Sequence, residues 1–313
     1  MSLTLDRLRQ GPIAVLMGGQ SAEREISLKS GEAIAQALES RGLPVERIDV
    51  DEHLASRLVE LAPVACFNGL HGRWGEDGCV QGLLEMLGIP YTGSGVLASA
   101  VGMDKVLSKH VFASVGLPTP EYHVVGPEAV EATGCEDLAF GLPCVVKPAR
   151  EGSSVGITIV RERGDFRPAL AEAARFGGEI LVERYVKGRE LSVAVLDGEA
   201  LGAIEIRPKR AFYDYVAKYD KAAGTEYLYP APVAPEVVEK VQRYAEQAHR
   251  VLRCSGVTRS DFIVNGGGEA FLIEVNTLPG FTETSLVPKI AAGRGISFPE
   301  LCERLLLGAS LKG

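Results

Sequence analysis

Short apolar runs alternating with amphipathic stretches mark the first hundred residues. Ile13 to Met17 and the mostly apolar Val64 to Leu70 have strand length, and Glu25 to Leu38 between them carries apolar positions at helical spacing. Strand, helix and strand in that order predict a parallel α/β unit. A helix over Asp104 to Val115 should stop at Gly116, with Pro118 and Pro120 just beyond. From Cys144 the pattern changes to strands at Val145–Lys147, Gly156–Val160, Ile180–Glu183, Leu191–Leu196 and Ala200–Ile206. Their connections read as too short for crossover helices, so they are expected to pair antiparallel. A second long helix, Pro235 to Arg253, places Val237, Val241, Tyr244, Ala248 and Val251 on one face. Val257–Val264 and Ala270–Val275 follow as a hairpin around Asn265-Gly266-Gly267-Gly268-Glu269.

With 313 residues and 46% hydrophobic content, the chain has room for two or three domains. A net charge of -8 argues against nucleic acid as a partner, yet leaves room for a local basic pocket that takes one nucleotide. No apolar stretch is long enough for a membrane span, and Ile13 to Met17 is too short for a signal-peptide core. The six cysteines contain no CxxC pair, so they read as small core residues of a protein in a reducing cytoplasm.

Two loops stand where strands hand over to helices. Gly18 to Glu23 follows the first strand, and His71 to Gly78 follows the next. In open α/β sheets such loops converge beyond the strands' carboxyl ends, where amides and helix N-termini meet ligands. The GxGxxG spacing is absent, so dinucleotide binding and a plain tight turn both remain alternatives for the first loop, and a loop-stabilising role does for His71.

The hairpin carries a sharper signal. A turn centred between Gly267 and Gly268 sets Asp261 opposite Glu274, with Asn276 on the same face. Facing carboxylates need a proton, a basic neighbour or a cation between them. Asp, Glu and an Asn carbonyl form the hard oxygen set that magnesium prefers, with room left for phosphates. A one-residue slip would instead leave Asp261 to Arg259 or solvent. Upstream, Lys147 ends a strand and opens a loop rich in Gly and Ser, through Gly152, Ser153, Ser154 and Gly156. Such a loop can wrap phosphates with backbone N–H groups while the lysine offsets charge, although it is not a Walker A loop.

The segments GGQSAEREISL, LHGRWGEDG, YTGSG, MDK, KPAREGSSVG, FYDYVAKY, TRSDF and EVNTLPGFT occur in that order. Together they span nearly the whole chain, and the ordered set resembles the D-alanine-D-alanine ligase family of the ATP-grasp superfamily. The resemblance implies an α/β (mixed α+β) chain of three domains: residues 1–100 as an N-terminal α/β substrate domain, 101–184 as the central subdomain, and 185–313 as the C-terminal metal-binding domain. ATP lies between the last two. It implies ATP-dependent joining of two D-alanine molecules through an acyl phosphate for peptidoglycan precursors, with D-lactate as the alternative acceptor.

Residue by residue, the resemblance puts Lys105 and Lys147 on the nucleotide phosphates. It sets Glu183, Tyr185 and Val186 beside adenine, Glu190 on ribose and Lys218 near the γ-phosphate. Asp261, Glu274 and Asn276 match magnesium ligands, with manganese a substitute. Glu23 matches the residue that orients the first D-alanine's ammonium, with His71 near its carboxylate. Ser153 and Tyr219 would join Glu23 in a triad closing the site, with lids around Ser153 and over residues 212–229. Arg259 and the Gly280 N–H would stabilise the oxyanion, and Ser285 would bind the second D-alanine's carboxylate. A cytoplasmic homodimer is also implied. The chain departs from the family's usual pattern at Trp74, Ala149 and the pair Glu283-Thr284. The last departure bears on acceptor preference.

Overall fold

A computed structural model describes residues 3–152, 155–208 and 224–312. Its first sheet is parallel, in the order β2-β1-β3, from Ile13–Gly18 (β1), Val45–Val50 (β2) and Ala65–Asn68 (β3). All six residues of β1 are buried, as a central parallel strand covered on both faces requires. The edge strand β2 escapes the apolar-run criterion because Glu46, Arg47 and Asp49 interrupt it; of its residues only Ile48 and Val50 are buried.

The second sheet holds Tyr122–Val125 (β4), Cys144–Pro148 (β5), Thr158–Val160 (β6) and Ile180–Arg184 (β7), in the order β4-β7-β5-β6. The third holds Gly188–Leu196 (β8), Glu199–Arg207 (β9), Glu226–Leu228 (β10), Val257–Asn265 (β11) and Ala270–Asn276 (β12), in the order β10-β9-β8-β11-β12. Every pairing in both is antiparallel, as expected. One connection differs from expectation: β6 reaches β7 through the helix Arg163–Ala174, which buries Phe166, Ala169, Leu170 and Ala173 on the sheet. Pro168 within that segment obscures its helical pattern in the sequence.

Each antiparallel sheet gives one face to a helix and the other to the interior of the molecule. Arg163–Ala174 covers Val146, Ile180 and Val182 of the second sheet, and Pro235–Val251 covers Leu191, Val193, Phe262 and Leu272 of the third. The faces left over, which include Lys147 and Glu183 on one side and Arg259 and Asp261 on the other, line a common cleft. A further core ties this region to the parallel sheet. Helices Leu286–Gly293 and Phe298–Leu307 pack Val287, Ile290, Leu301 and Leu306 against Val15, Met17, Ile34 and Ala194. The first and third sheets therefore share a buried core, and the C-terminal helices pack across sequence-distant units.

Of the cysteines, Cys66, Cys144 and Cys302 are buried, whereas Cys79 is exposed, so the reading of all six as core residues fails there. Cys79 opens the helix Cys79–Leu87, where its amide is held by Asp77 Oδ1 (3.1 Å).

Candidate active site

The cleft encloses about 1120 Å³. One end is formed by the two glycine loops beyond β1 and β3. Ser27 Oγ accepts from the Gly18 amide and donates to the Gly69 carbonyl, both at 2.9 Å, and so ties the loops together. Ser21 Oγ donates to the His71 carbonyl (2.7 Å), and Ser30 Oγ meets His71 Nε2 (2.9 Å). His71 is buried, with Nδ1 at 3.6 Å from Glu76 Oε1, so its ring is fixed at the cleft wall. Glu23 sits at the N-terminus of the helix Arg24–Ser40, and its carboxylate reaches over Gly72. The φ of +67° at Gly72 favours glycine, and a Cβ there would lie 2.9 Å from Glu23 Oε2 and push that carboxylate aside. A Cβ on Gly152 would lie 3.4 Å from the same oxygen, which brings the second sheet's loop to the end of the cleft formed by the glycine loops.

The second sheet supplies the cationic wall. Antiparallel register pairs Val145 and Tyr122 with Glu183, so these side chains share a face with Lys147, two residues along β5. Lys147 Nζ contacts one oxygen of Glu183, and Lys109 Nζ contacts the other. All three groups are buried. Burial would raise the Glu183 carboxyl, but the two ammonium groups outweigh it and hold the carboxyl below its ordinary value. Burial pushes Lys109 down to about 8, so the pair is still charged at neutral pH. Lys105 lies one turn before Lys109 on the helix Lys105–Ser114, which Asp104 caps through the Val106 and Leu107 amides. Its Nζ donates to the Glu151 carbonyl (2.6 Å) and stands 3.7 Å from Glu274 Oε2.

The third sheet supplies the acidic wall, and there the hairpin register pairs Asp261 with Glu274 and Arg259 with Asn276. That pair was expected, but the path to it differs. Pairing beyond it runs Phe262 with Leu272 through Val264 with Ala270, which centres the turn on Gly267 with Gly268 at φ +76°. A bulge that leaves Ile273 unpaired then brings Glu274 opposite Asp261. The slip alternative was right in one respect, because Arg259 does bind Asp261, through Nη2 (2.8 Å) and Nε (2.9 Å). Asp261 also accepts from Ser192 Oγ and from Asn276 Nδ2 (3.1 Å).

Among the described residues no group of three His, Cys, Asp or Glu side chains is arranged to hold a metal. The donors present are two carboxylates and an amide on one sheet face, a partial set of hard oxygens. Their chemistry fits a magnesium ion that takes its other ligands from water and phosphate.

The chain crosses from the second sheet to the third through Tyr185, Val186 and Lys187, and Tyr185 and Val186 line the cleft at this connector. Gly188 begins β8 where a Cβ would lie 2.3 Å from the Val264 carbonyl oxygen. Glu190, two residues on, also lines the cleft. At the far end, Ser285 precedes the helix Leu286–Gly293, and its Oγ meets Thr282 Oγ1 (2.9 Å) and the Thr282 amide (3.0 Å). A Cβ on Gly280 would lie 3.4 Å from Ser285 Oγ, so these two expected site residues are neighbours. Thr284, one of the departures from the family pattern, lines this end, and its Oγ1 is 3.3 Å from Thr282 Oγ1.

Glu23, His71, Lys147, Glu183, Tyr185, Val186, Glu190, Arg259, Asp261, Glu274, Asn276, Gly280 and Ser285 thus all line one cleft, with Lys105 bound to its Glu274. Ser153, Lys218 and Tyr219 lie outside the described residues, as does most of the expected lid over residues 212–229. Sequence reasoning missed Lys109, Glu205 and Lys289. Glu205 is buried at the cleft between Arg189 and Arg207, and Lys289 Nζ stands 4.0 Å from the Tyr227 ring centroid. The signal for Lys109 was its place four residues after Lys105, on the same helix face.

Comparison with known proteins points one way. The family model described as D-ala D-ala ligase N-terminus matches residues 44–94, and that described as D-ala D-ala ligase C-terminus matches residues 111–307. The D-alanine–D-alanine ligase of Anaeromyxobacter sp. (strain Fw109-5) is 59% identical over 96% of this chain and 97% of its own. That of Geotalea uraniireducens (strain Rf4) is 51% identical over 99% of both. A crystal structure of the Bacillus anthracis D-alanine–D-alanine ligase superposes with TM-score 0.85 at 36% identity, covering 95% of this chain and 97% of that one. The structure of that organism's enzyme complexed with ATP gives 0.81 at 32% identity, with the same coverage.

Proposed function

The chain belongs to the D-alanine–D-alanine ligase family, with its ATP-grasp fold, and from that premise we propose that its cleft joins two D-alanine molecules at the expense of ATP. The product serves cell-wall precursor synthesis. The observation that carries this reading is the opposition of the two walls: Lys105 and Lys147 come from one side, and the Asp261–Glu274 pair with Arg259 comes from the other. Phosphoryl transfer from a triphosphate calls for cations and a metal that position its phosphates and neutralise their charge. The connector at Tyr185 and Val186 is our assignment for adenine, and Glu190 for ribose. Asp261, Glu274 and Asn276 would hold Mg²⁺ or Mn²⁺, which when bound neutralises phosphate charge.

A carboxylate and an amine do not condense unaided at neutral pH, so the carboxylate is first made electrophilic. We assign Glu23 to the ammonium of the first D-alanine and His71 to the neighbourhood of its carboxylate, which then attacks the γ-phosphoryl group in line. The reaction asks for positioning and charge stabilisation more than covalent protein chemistry. The amine of the second D-alanine, its carboxylate anchored near Ser285, attacks the acyl phosphate carbonyl. Arg259 and the Gly280 N–H are placed to stabilise the oxyanion until phosphate leaves. Ser153, Lys218 and Tyr219 keep their roles as proposals from the family pattern.

The three sheets support a division near residues 100 and 184, and the family resemblance supports a homodimer in the cytoplasm. Among the described residues no helix is long and apolar enough to cross a membrane.

The test is isotopic. With oxygen-18 in the D-alanine carboxylate, one labelled oxygen should appear in released phosphate for each dipeptide formed, with ADP as coproduct. Label in AMP, or release of pyrophosphate, would overturn the acyl phosphate route. In mixtures of acceptors, dipeptide should dominate over the ester with D-lactate at neutral pH.

A further inference from the structure

Lys109 is the most completely buried lysine of the described chain, fully enclosed on the helix Lys105–Ser114. A buried ammonium costs several kcal/mol unless it is paired and hydrogen-bonded. Here it meets Glu183 and Thr119 Oγ1, and its Nζ lies 5.5 Å from the Tyr122 ring centroid. Glu183 is shared: the oxygen that does not face Lys109 faces Lys147. The chain thus builds a relay in which one cation is hidden behind a carboxylate and the second stands at the cleft.

We propose that Lys109 is a positioning residue for nucleotide binding: by holding one oxygen of Glu183 it aims the other at Lys147 and fixes that ammonium in the cleft. The inference rests on the reading of the cleft as an ATP site and adds a group that touches no substrate. Two features of the fold make the relay directional. Glu183 lies on β7, flanked by β4 and β5, so its backbone cannot follow a departing partner. Lys147 lies on the neighbouring strand β5, one residue before its end, and the following Ala149 and Glu151 carbonyls accept from the Lys105 amide and Lys105 Nζ. Lys105 and Lys109, one helical turn apart, therefore brace both ends of the same phosphate-facing segment.

The charged and titratable groups around Glu183 are Lys109, Lys105 and His110 from the helix, Lys147 from β5, Tyr122 from β4, and Glu274 from β12 beyond Lys109. Without Lys109 the buried carboxylate has one cation where it had two, so its protonated form becomes accessible at higher pH. Protonation releases Lys147, and the defect should grow as pH falls from neutral to mildly acidic.

The experiment compares wild type, Lys109→Met and the double variant Lys109→Met/Glu183→Gln, measuring KM for ATP and kcat at saturating D-alanine between mildly acidic and mildly alkaline pH. Thermal melting monitors folding. Both variants should raise KM for ATP by about tenfold, with kcat at saturating ATP changed by no more than about twofold. In the single variant the rise should steepen towards acid pH; in the double, which has no carboxylate at position 183 left to protonate, that steepening should be absent. A double variant that folds and shows the wild-type KM would overturn the proposal, as would a loss of melting temperature in the single variant with KM and its pH profile unmoved. If wild type itself consumes no ATP with D-alanine, the proposed function fails instead, so the two failures are distinguishable.

Discussion

Asp261→Asn and Glu274→Gln are each expected to lower kcat at ordinary magnesium by roughly a hundredfold or more, while the fold survives. Both positions are half-buried on the cleft face of a paired hairpin, and each substitution keeps shape while removing one formal charge. Both substitutions relieve repulsion between the facing carboxylates, so Glu274→Gln should melt near wild type, whereas Asp261→Asn also breaks the largely buried ion pair with Arg259 and should melt somewhat lower while still folding. The two variants should separate on titration with magnesium. Glu274→Gln weakens a proposed metal ligand and removes the charge that faces Lys105, and excess metal should restore much of its turnover. Asp261→Asn also loses the partner that fixes Arg259, which metal cannot replace, so its recovery should plateau lower. Wild-type activity of both variants at limiting magnesium would sink the assignment of this pair.

That pair also shows what the sequence could and could not disclose. Glycine-rich turn and alternating strands were visible, and they brought Asp261 and Glu274 together, yet the assumed turn was half a residue off and the bulge at Ile273 made up the difference. A bulge has no reliable signature in a run such as Phe271-Leu272-Ile273, where every residue suits a strand. The Lys109–Glu183–Lys147 relay was invisible for another reason. Its members come from a helix and two strands, and their contact depends on how the helix Lys105–Ser114 docks, which no local pattern encodes. The parallel unit was easier, because β1 is buried on both faces and reads as an unbroken apolar run. The loop residues Glu23 and His71 gained meaning from the family pattern; their convergence follows from the shared end of β1 and β3, but their chemistry does not follow from loop composition.

Lys109 and Arg259 are placed comparably on opposite walls, each a cation paired with a carboxylate that lines the cleft, Glu183 and Asp261 respectively. The difference is exposure. Lys109 is sealed away, whereas Arg259 lines the cleft with its side chain 15% exposed. A buried partner can only position, but a cation at the cleft surface can also meet charge that develops during reaction.

Arg259→Lys is accordingly expected to reduce kcat by about two to three orders of magnitude, the loss seen when one donor to a developing oxyanion is removed. The substitution keeps the charge and shortens nothing essential to the fold, since Arg259 projects from the middle of the third sheet between Ala194 of β8 and Asn276 of β12. What it removes is the planar fork that binds Asp261 through Nε and Nη2 together and so fixes the guanidinium plane. A lysine ammonium can pair with Asp261 as a point charge, but it cannot do so while presenting a second donor in a set direction. KM for ATP should change little, because Asp261, Glu274 and the lysine wall remain. Acyl phosphate that forms but is captured slowly has time to hydrolyse, so phosphate released per dipeptide should rise above the wild-type ratio. Magnesium should not rescue the defect, in contrast with Glu274→Gln. Recovery of full turnover on adding metal would mean that Arg259 serves only to hold Asp261 for the ion, and its role at the oxyanion would have to be given up.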